Sequence, residues 1–306
     1  MKVINPLDIT DAMLISSNVP ENDYPAWSTS SSYTVASGST AGSRVLDSHR
    51  IWEYIGASAG NTIASPSTDK STPAKWAFVS YDNRWAMFDQ VVGTQTVQEG
   101  TIDVTIRPNA IVNSVAFFGL QGTSVTVTMS DDVDGQVYNR TIQLTDTDVS
   151  DWYEYFFEPI GAGRQDFVLF DLPSYGAATL RIVVNSPNGT AKLGLAALGT
   201  LKTLGWANYG SSVGITDYSR KDVDNFGHYT IVERAFSKRA DFDVTIDTSD
   251  VSMVQRFLAK IRTKPVVWIG SENMEATILY GFYKDFSEVI SNPSISQCSI
   301  SVEALV

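Results

Sequence analysis

Alternation of apolar and polar residues runs through the middle of the chain and predicts β-strands. In Ser124–Met129 every second residue is apolar, which in a strand places the apolar side chains on one face. Similar runs recur at short intervals, with turn residues between them. The predicted strands are Thr101–Arg107, Val112–Phe118, Ser124–Met129, Gln136–Leu144, Trp152–Glu158, Asp166–Phe170, Thr179–Val184 and Lys192–Ala197. This spacing predicts a jelly-roll β-sandwich over 81–200.

The pattern changes after Gly199–Gly210, which we interpret as a joint between domains. A helix is predicted over 250–262, where apolar residues recur every three or four positions. Ser249 is a suitable N-cap, and Pro265 ends the helix. Strands are predicted at Tyr229–Val232, Phe242–Ile246, Val266–Ile269, Ala276–Phe282 and Ser296–Leu305. The mainly β pattern predicts a C-terminal β-sandwich or barrel with one packed α-helix over 201–306.

The N-terminal part of the chain divides into an arm and a small β module. Residues 1–25 are predicted to form an arm, with one helical turn at Ile9–Ile15 and a turn-rich, extended stretch at Ser16–Pro25. This arm must pack on a neighbouring domain or subunit. Residues 26–80 are rich in aromatic residues separated by Ser, Thr and Gly. Strands are predicted there at Ser32–Val35, Arg44–Leu46 and Arg50–Ile55. So small a unit needs stacked aromatic side chains as its core.

The stretch Asp82–Asp89 links the module to the sandwich. We expect its apolar residues Trp85, Met87 and Phe88 to lock the module or the arm onto the sandwich, and Arg84 to pair with a nearby carboxylate.

Composition narrows the classes of function. Hydrophobic residues make up 43% of the chain and charged residues 18%, as in globular proteins. The sequence has no apolar run long enough to predict a membrane span. A net charge of −12 disfavours a nucleic-acid partner, because binding to its phosphate groups requires clustered Lys and Arg side chains. Cys298, the one cysteine, predicts a buried, inert thiol and a chain compatible with a reducing cytosol.

The sequence offers little for catalysis, so we predict no enzyme and no cofactor. The two histidines, His49 and His228, fall in different predicted domains, and neither metal-ligand spacing nor a phosphate-binding loop is present. A polysaccharide hydrolase would need a carboxylate pair. Such a pair could come from Asp148, Asp151, Glu154 and Glu158.

Ser130–Gly135 is the best polar cluster. Asp132 and Asp134 match the start of a calcium loop, but Thr141 stands where a closing carboxylate is needed. A solvated hairpin turn is the favoured interpretation, and a structural cation is the alternative.

Several aromatic residues are candidates for stacking against a sugar ring. They are Trp27, Tyr33, Trp52, Trp152 and Tyr155. The alternative for the first three is core packing, and for the last two core packing plus a subunit contact.

Two parts of the chain resemble carbohydrate-binding modules. The small module resembles the chitin-binding-like modules appended to bacterial chitinases, and the sandwich resembles galactose-binding-like sandwiches. The matching features of the module are Ala26-Trp27, Tyr33, Val45, His49–Glu53, Pro73 and Trp76. The paired tryptophans of that family are missing, with Gly56–Gly60 near their place, so the resemblance implies the fold more than sugar binding.

A wider resemblance covers most of the chain. The segment Asn83–Asp89, the arm, and the strand–helix–strand unit that ends at Ser296–Leu305 resemble tail-tip and baseplate proteins of long-tailed bacteriophages, including distal-tail proteins. The resemblance implies a structural virion protein, assembled in the host cytoplasm into a ring-forming homo-oligomer. Its partners would be the other tail proteins (hub, tube and fibre). The alternative is a virion protein that recognises a host cell-surface glycan.

Overall fold

The computed structural model describes residues 1–37, 41–56, 64–144, 163–223, 226–272, 274–290 and 292–305, and it is mainly β. The strands are β1 Lys2–Pro6, β2 Leu14–Ser17, β3 Arg44–Asp47, β4 Arg50–Tyr54, β5 Trp76–Tyr81, β6 Thr96–Ile106, β7 Ser114–Phe118, β8 Ser124–Asp131, β9 Gly135–Gln143, β10 Phe167–Leu169, β11 Thr179–Leu193, β12 Leu195–Thr203, β13 Trp206–Ala207, β14 Ser212–Asp217, β15 Arg220–Val223, β16 Tyr229–Val232, β17 Phe236–Asp247, β18 Val266–Ile269, β19 Ile278–Val289 and β20 Ile295–Ala304. The α-helix, α1, spans Val251–Ile261, and 3-10 turns lie at Asp11–Met13, Ala86–Phe88, Thr248–Asp250 and Glu275–Thr277.

The middle of the chain is the predicted β-sandwich. A five-stranded sheet, in the order β2-β6-β11-β8-β9, packs on strands β10, β7 and β12 of a larger sheet. Along β8 the buried residues alternate with half-buried ones, as the sequence pattern predicts. Their side chains meet those of β6 and β11 in one core. The predicted strand Trp152–Glu158 lies outside the described residues.

The first residues of the chain are a central strand rather than part of a loose arm. Strand β1 pairs with β12 on one side and with β18 on the other, and Val3 and Ile4 are fully buried. The chain therefore ties the sandwich to the C-terminal unit from its first residues. Further along, the 3-10 turn Asp11–Met13 stands where we expected a helical turn, and β2 pairs with the edge of β6.

The segment Gly199–Gly210, which we expected to be a joint between domains, instead continues the sheet through β12 and β13. Strand β12 pairs with β1, and the chain continues directly into β13, which pairs with β17. The strand order is β12-β1-β18-β19-β20-β17-β13. Because β13 directly follows β12 in the chain, this order begins and ends on the same stretch of chain, and the sheet closes into a barrel. Closure needs Gly205, because an added Cβ there would lie 2.3 Å from the Thr245 carbonyl oxygen.

Helix α1 packs into the core of this barrel, as the sequence predicts. Val254, Leu258 and Ile261 are buried in the same cluster as Trp268 and Phe242. The helix begins later than its predicted cap. Ser249 lies inside the preceding 3-10 turn, and Asp250 occupies the N-cap position without a side-chain cap hydrogen bond.

The small module is a three-stranded sheet in the order β3-β4-β5. Its core holds Tyr33, Val45, Tyr54 and Trp76, whose aromatic rings meet edge-on or tilted, as expected for so small a unit. The predicted strand Ser32–Val35 is not one of the described strands. Strand β5, which the sequence analysis did not predict, completes the sheet instead.

Candidate interaction surfaces

The turn between β3 and β4 docks the module on the rest of the chain. Ser48 and His49 have positive φ angles of 53° and 66°, in the left-handed region that favours glycine. The His49 ring stacks on Trp85, with 4.4 Å between ring centroids. His49 Nδ1 lies 2.7 Å from Glu21 Oε1 and donates to it, because a carboxylate only accepts.

The predicted lock at Asp82–Asp89 is confirmed in the same place. Arg84 Nε donates to the Val19 carbonyl oxygen at 2.7 Å, and Arg84 Nη1 lies 3.4 Å from Glu21 Oε2. Met87 is fully buried in the sandwich core. Arm, module and sandwich therefore meet at one cluster of contacts.

Three of the five aromatic residues predicted to stack on sugars, Trp27, Tyr33 and Trp52, pack in or against the core of the module. The Tyr33 ring is 3% exposed and its hydroxyl donates to the Ser28 carbonyl oxygen, so it has no free face for a ligand. Trp27 and Trp52 are half-buried and pack against the same core. Trp152 and Tyr155 lie outside the described residues.

A different pair of aromatic side chains lines a cleft. Phe78, 49% exposed, lies on β5 with Tyr81, and their rings meet edge-on at 5.7 Å. The Arg50 guanidinium lies over both rings, at 5.8 and 5.2 Å, and donates to the Tyr81 hydroxyl. We call this arrangement of Arg50, Phe78 and Tyr81 the aromatic shelf. The sequence did not reveal this arrangement, because Phe78 and Tyr81 lie on β5, a strand that the sequence pattern did not predict.

The cleft beside the aromatic shelf has a volume of about 660 Å³. Its opposite wall comes from the arm and from the segment after the Ala86–Phe88 turn. The polar lining residues include Asp8, Ser80, Asp89, Gln90 and Thr94. Burial raises the pKa of Asp89, whose carboxylate accepts hydrogen bonds from Val91 N and Thr94 Oγ1.

The candidate cation residues have protein partners. Asp132 forms an ion pair with Arg107, and Asp134 accepts a hydrogen bond from the Tyr175 hydroxyl at 2.9 Å. Asp131 caps the turn by accepting from Val133 N. Over the described residues, side chains of metal-binding type form no group of three or more that could hold an ion. The favoured interpretation of this segment, a hairpin turn between β8 and β9, agrees with the structure.

Exposed apolar side chains lie on the hairpin of strands β15 and β16. Every strand residue of β15 and β16 is exposed, and Phe226, Tyr229 and Ile231 are 86%, 71% and 64% exposed. We call this the hairpin surface. It comprises Val223, Phe226, Tyr229, Ile231 and Val232.

The potentially reactive side chains considered from the sequence are one thiol and four carboxylates. Cys298 is buried in the barrel core, and burial raises the pKa of its thiol to about 12. The four acids considered for glycoside cleavage lie outside the described residues. No helix in the described part of the chain is both long and apolar enough to cross a membrane.

Comparison with known proteins found little. No protein-family model and no curated protein matches the chain. Among solved structures, the chain is similar to chitosan-binding module 1 of a chitosanase/glucanase from Paenibacillus sp. IK-5, solved as a selenomethionine-labelled point mutant. The sequences are 12% identical, the match covers 38% of this chain and 84% of the module, and the TM-score is 0.26. A similarity at this TM-score supports neither a fold assignment nor a ligand.

Proposed function

We propose that this chain is a structural protein whose copies assemble into a ring, as part of the tail tip or baseplate of a long-tailed bacteriophage. The hairpin surface carries the assembly part of the proposal, and the sequence resemblance described above motivates the location in a phage tail. The hairpin surface exposes large apolar side chains on two paired strands, and contiguous apolar patches larger than a few hundred Å² are uncommon on monomeric soluble proteins.

The size of the hairpin surface suits a protein contact. Aromatic side chains bury about 150–250 Å² each, so Phe226 and Tyr229 at their observed exposures offer roughly 300 Å² together. The Val and Ile side chains of the surface add to this area. A standard protein interface takes about 800 Å² from each partner, so this surface supplies a large part of one.

The rest of the fold suits a component that transmits mechanical force. The barrel is closed, and β1 lies between a strand of the sandwich and a strand of the barrel, so force on either unit reaches the other through paired strands. Repeated, symmetric contacts between copies would then resist shear. The neighbouring hub, tube and fibre proteins are partners that this proposal implies.

Sedimentation over a range of concentrations tests self-association. We expect a defined ring from the wild-type chain, and at least tenfold weaker association when Tyr229→Ser and Ile231→Ser are combined, because both remove apolar contact area. Ile15→Ser, which removes an exposed apolar side chain from the sandwich, is the matched control and should assemble normally. Labelling of purified virions then tests the location. A chain that stays monomeric at high concentration and is absent from virions contradicts the proposal.

A second candidate function is recognition of a host cell-surface glycan by the same virion protein. The observation that favours it is the aromatic shelf at a cleft of ligand size. Retention of the intact chain on purified host polysaccharide would support this function, and absence of binding at every concentration tested would remove it.

A further inference from the structure

We propose that the cleft beside the aromatic shelf binds an uncharged saccharide, with a sugar ring packed on Phe78 and Tyr81. The inference rests on the second function proposed above. It places the ligand away from Trp27, Tyr33 and Trp52, which pack within the module.

The aromatic shelf is held in place before any ligand arrives. Phe78 meets Trp52 edge-on at 5.7 Å on one side and Tyr81 at the same distance on the other. Arg50 lies over Phe78 and Tyr81 and is fixed by its hydrogen bond to the Tyr81 hydroxyl, 3.1 Å away. Because these rings are already ordered, a ligand that packs on them loses little affinity to side-chain ordering.

Polar groups surround the shelf with free hydrogen-bonding capacity. The carboxylate of Asp8, the amide of Gln90 and the hydroxyl of Ser80 line the cleft, and none of these side chains has a hydrogen-bond partner within the described part of the chain. A carboxylate accepts, while an amide and a hydroxyl both donate and accept. Hydroxyl groups of a sugar, each a donor and an acceptor, match this set.

Other ligand classes fit the cleft less well. A phosphate or other anion would meet Asp8 and Asp89 beside a single guanidinium, Arg50, in a chain of net charge −12. A lipid chain would leave the polar lining without partners. The volume of about 660 Å³ lies within the range of small-molecule sites. A short, uncharged oligosaccharide has apolar ring faces, which can pack on the aromatic shelf, and hydroxyl groups, which can hydrogen-bond to the polar residues of the cleft.

Calorimetric titration of the intact chain tests the site. The probes are N-acetylchitohexaose, cellohexaose and the strongest binder from an array of uncharged bacterial oligosaccharides. For the best probe we expect Phe78→Ala to weaken binding about tenfold, because a lost ring contact costs about one factor of ten in affinity. Gln90→Ala, on the opposite wall, should weaken binding by a smaller factor. Phe236→Ala removes a phenyl ring of similar exposure, 52%, outside this cleft and should bind as the wild type does.

Far-ultraviolet circular dichroism and the unfolding midpoint check that each variant is folded. Binding that survives unchanged in both Phe78→Ala and Gln90→Ala would overturn the assignment of the site while leaving glycan recognition intact. Absence of binding to every probe and every array member would overturn both.

Discussion

The hairpins β3–β4 and β15–β16 are built alike, but their surroundings differ. Each joins two short antiparallel strands, but β4 also pairs with β5, whereas β15 and β16 form a two-stranded sheet. A two-stranded hairpin alone is marginally stable in water. The turn of β3–β4 lies against the body of the chain, where His49 stacks on Trp85. Strands β15 and β16 instead expose every residue. The turn of one hairpin is docked within the chain, and we infer that the exposed side chains of the other meet a second copy.

Backbone strain sharpens the comparison. The β3–β4 turn keeps Ser48 and His49 in the left-handed region, which costs a non-glycine residue about 1 kcal/mol or more. Such a turn persists only when surrounding contacts hold it. The His49 contacts with Trp85 and Glu21 therefore account for a local conformation that the turn sequence disfavours.

Removal of the Trp85 side chain, which His49 contacts, should have the largest effect on stability. Trp85→Ala deletes a buried indole and leaves a cavity under His49, and we expect it to lower the free energy of unfolding by about 3–5 kcal/mol. In dilute solution, Tyr229→Ala on the exposed hairpin should change it by less than about 0.5 kcal/mol. Denaturant unfolding measures both. Equal losses in the two variants would contradict the comparison.

Removal of the turn side chain should have a smaller effect. His49→Ala loses the ring contact and the hydrogen bond to Glu21, and we expect a loss of about 1–2 kcal/mol. The control is Lys221→Ala on the exposed hairpin, where a surface ion pair with Asp217 contributes little. A wild-type unfolding midpoint in His49→Ala would show that the docking contact is unimportant.

Relief of strain should stabilise the module slightly. Ser48 is exposed and has a φ of 53°, so Ser48→Gly should raise the free energy of unfolding by about 0.5–1 kcal/mol. Ser32→Gly, at an exposed position without positive φ, should lower it slightly through backbone entropy. If both variants lose stability, the strain argument fails.

The smallest effect concerns pH. The hydrogen bond from Arg44, followed by that from Gly42 N, lowers the pKa of the Glu53 carboxyl. A carboxyl with a lowered folded-state pKa adds stability above its unfolded pKa, and this stability is lost as pH falls through the folded pKa. The stability gap between wild type and Glu53→Gln should therefore be present near neutral pH and shrink in acid. A stability difference between the two proteins that widens in acid would contradict a lowered folded-state pKa of Glu53.

Much of the sandwich and of α1 could be predicted from local pattern. Ser124–Met129 alternates because one face of β8 is buried, and Val254, Leu258 and Ile261 recur at helical spacing because one face of α1 is buried. Cys298 was predicted to be buried for the same reason. In each case the environment of a residue follows from its position on one face of one element.

The features that the sequence did not reveal depend on pairing between distant segments. Strand β1 is short and contains Pro6, and its central position comes from pairing with β12 and β18, which lie at Leu195–Thr203 and Val266–Ile269, far along the chain. A register shift between Ile51 and Trp52 in the β4–β5 pair changes which side chains lie opposite each other, so aromatic content alone could not separate core rings from the aromatic shelf. The exposure of the hairpin surface likewise has no local signature in the sequence.

Hydrogen exchange at low and high protein concentration tests the central claim most directly, because it follows both hairpins in one sample. The account predicts that the amides of β15 and β16 gain protection as concentration rises, while those of β3 and β4 keep the same protection throughout. Exchange in β15 and β16 that is independent of concentration, in samples that do form rings, would contradict the claim that the hairpin surface holds the copies together.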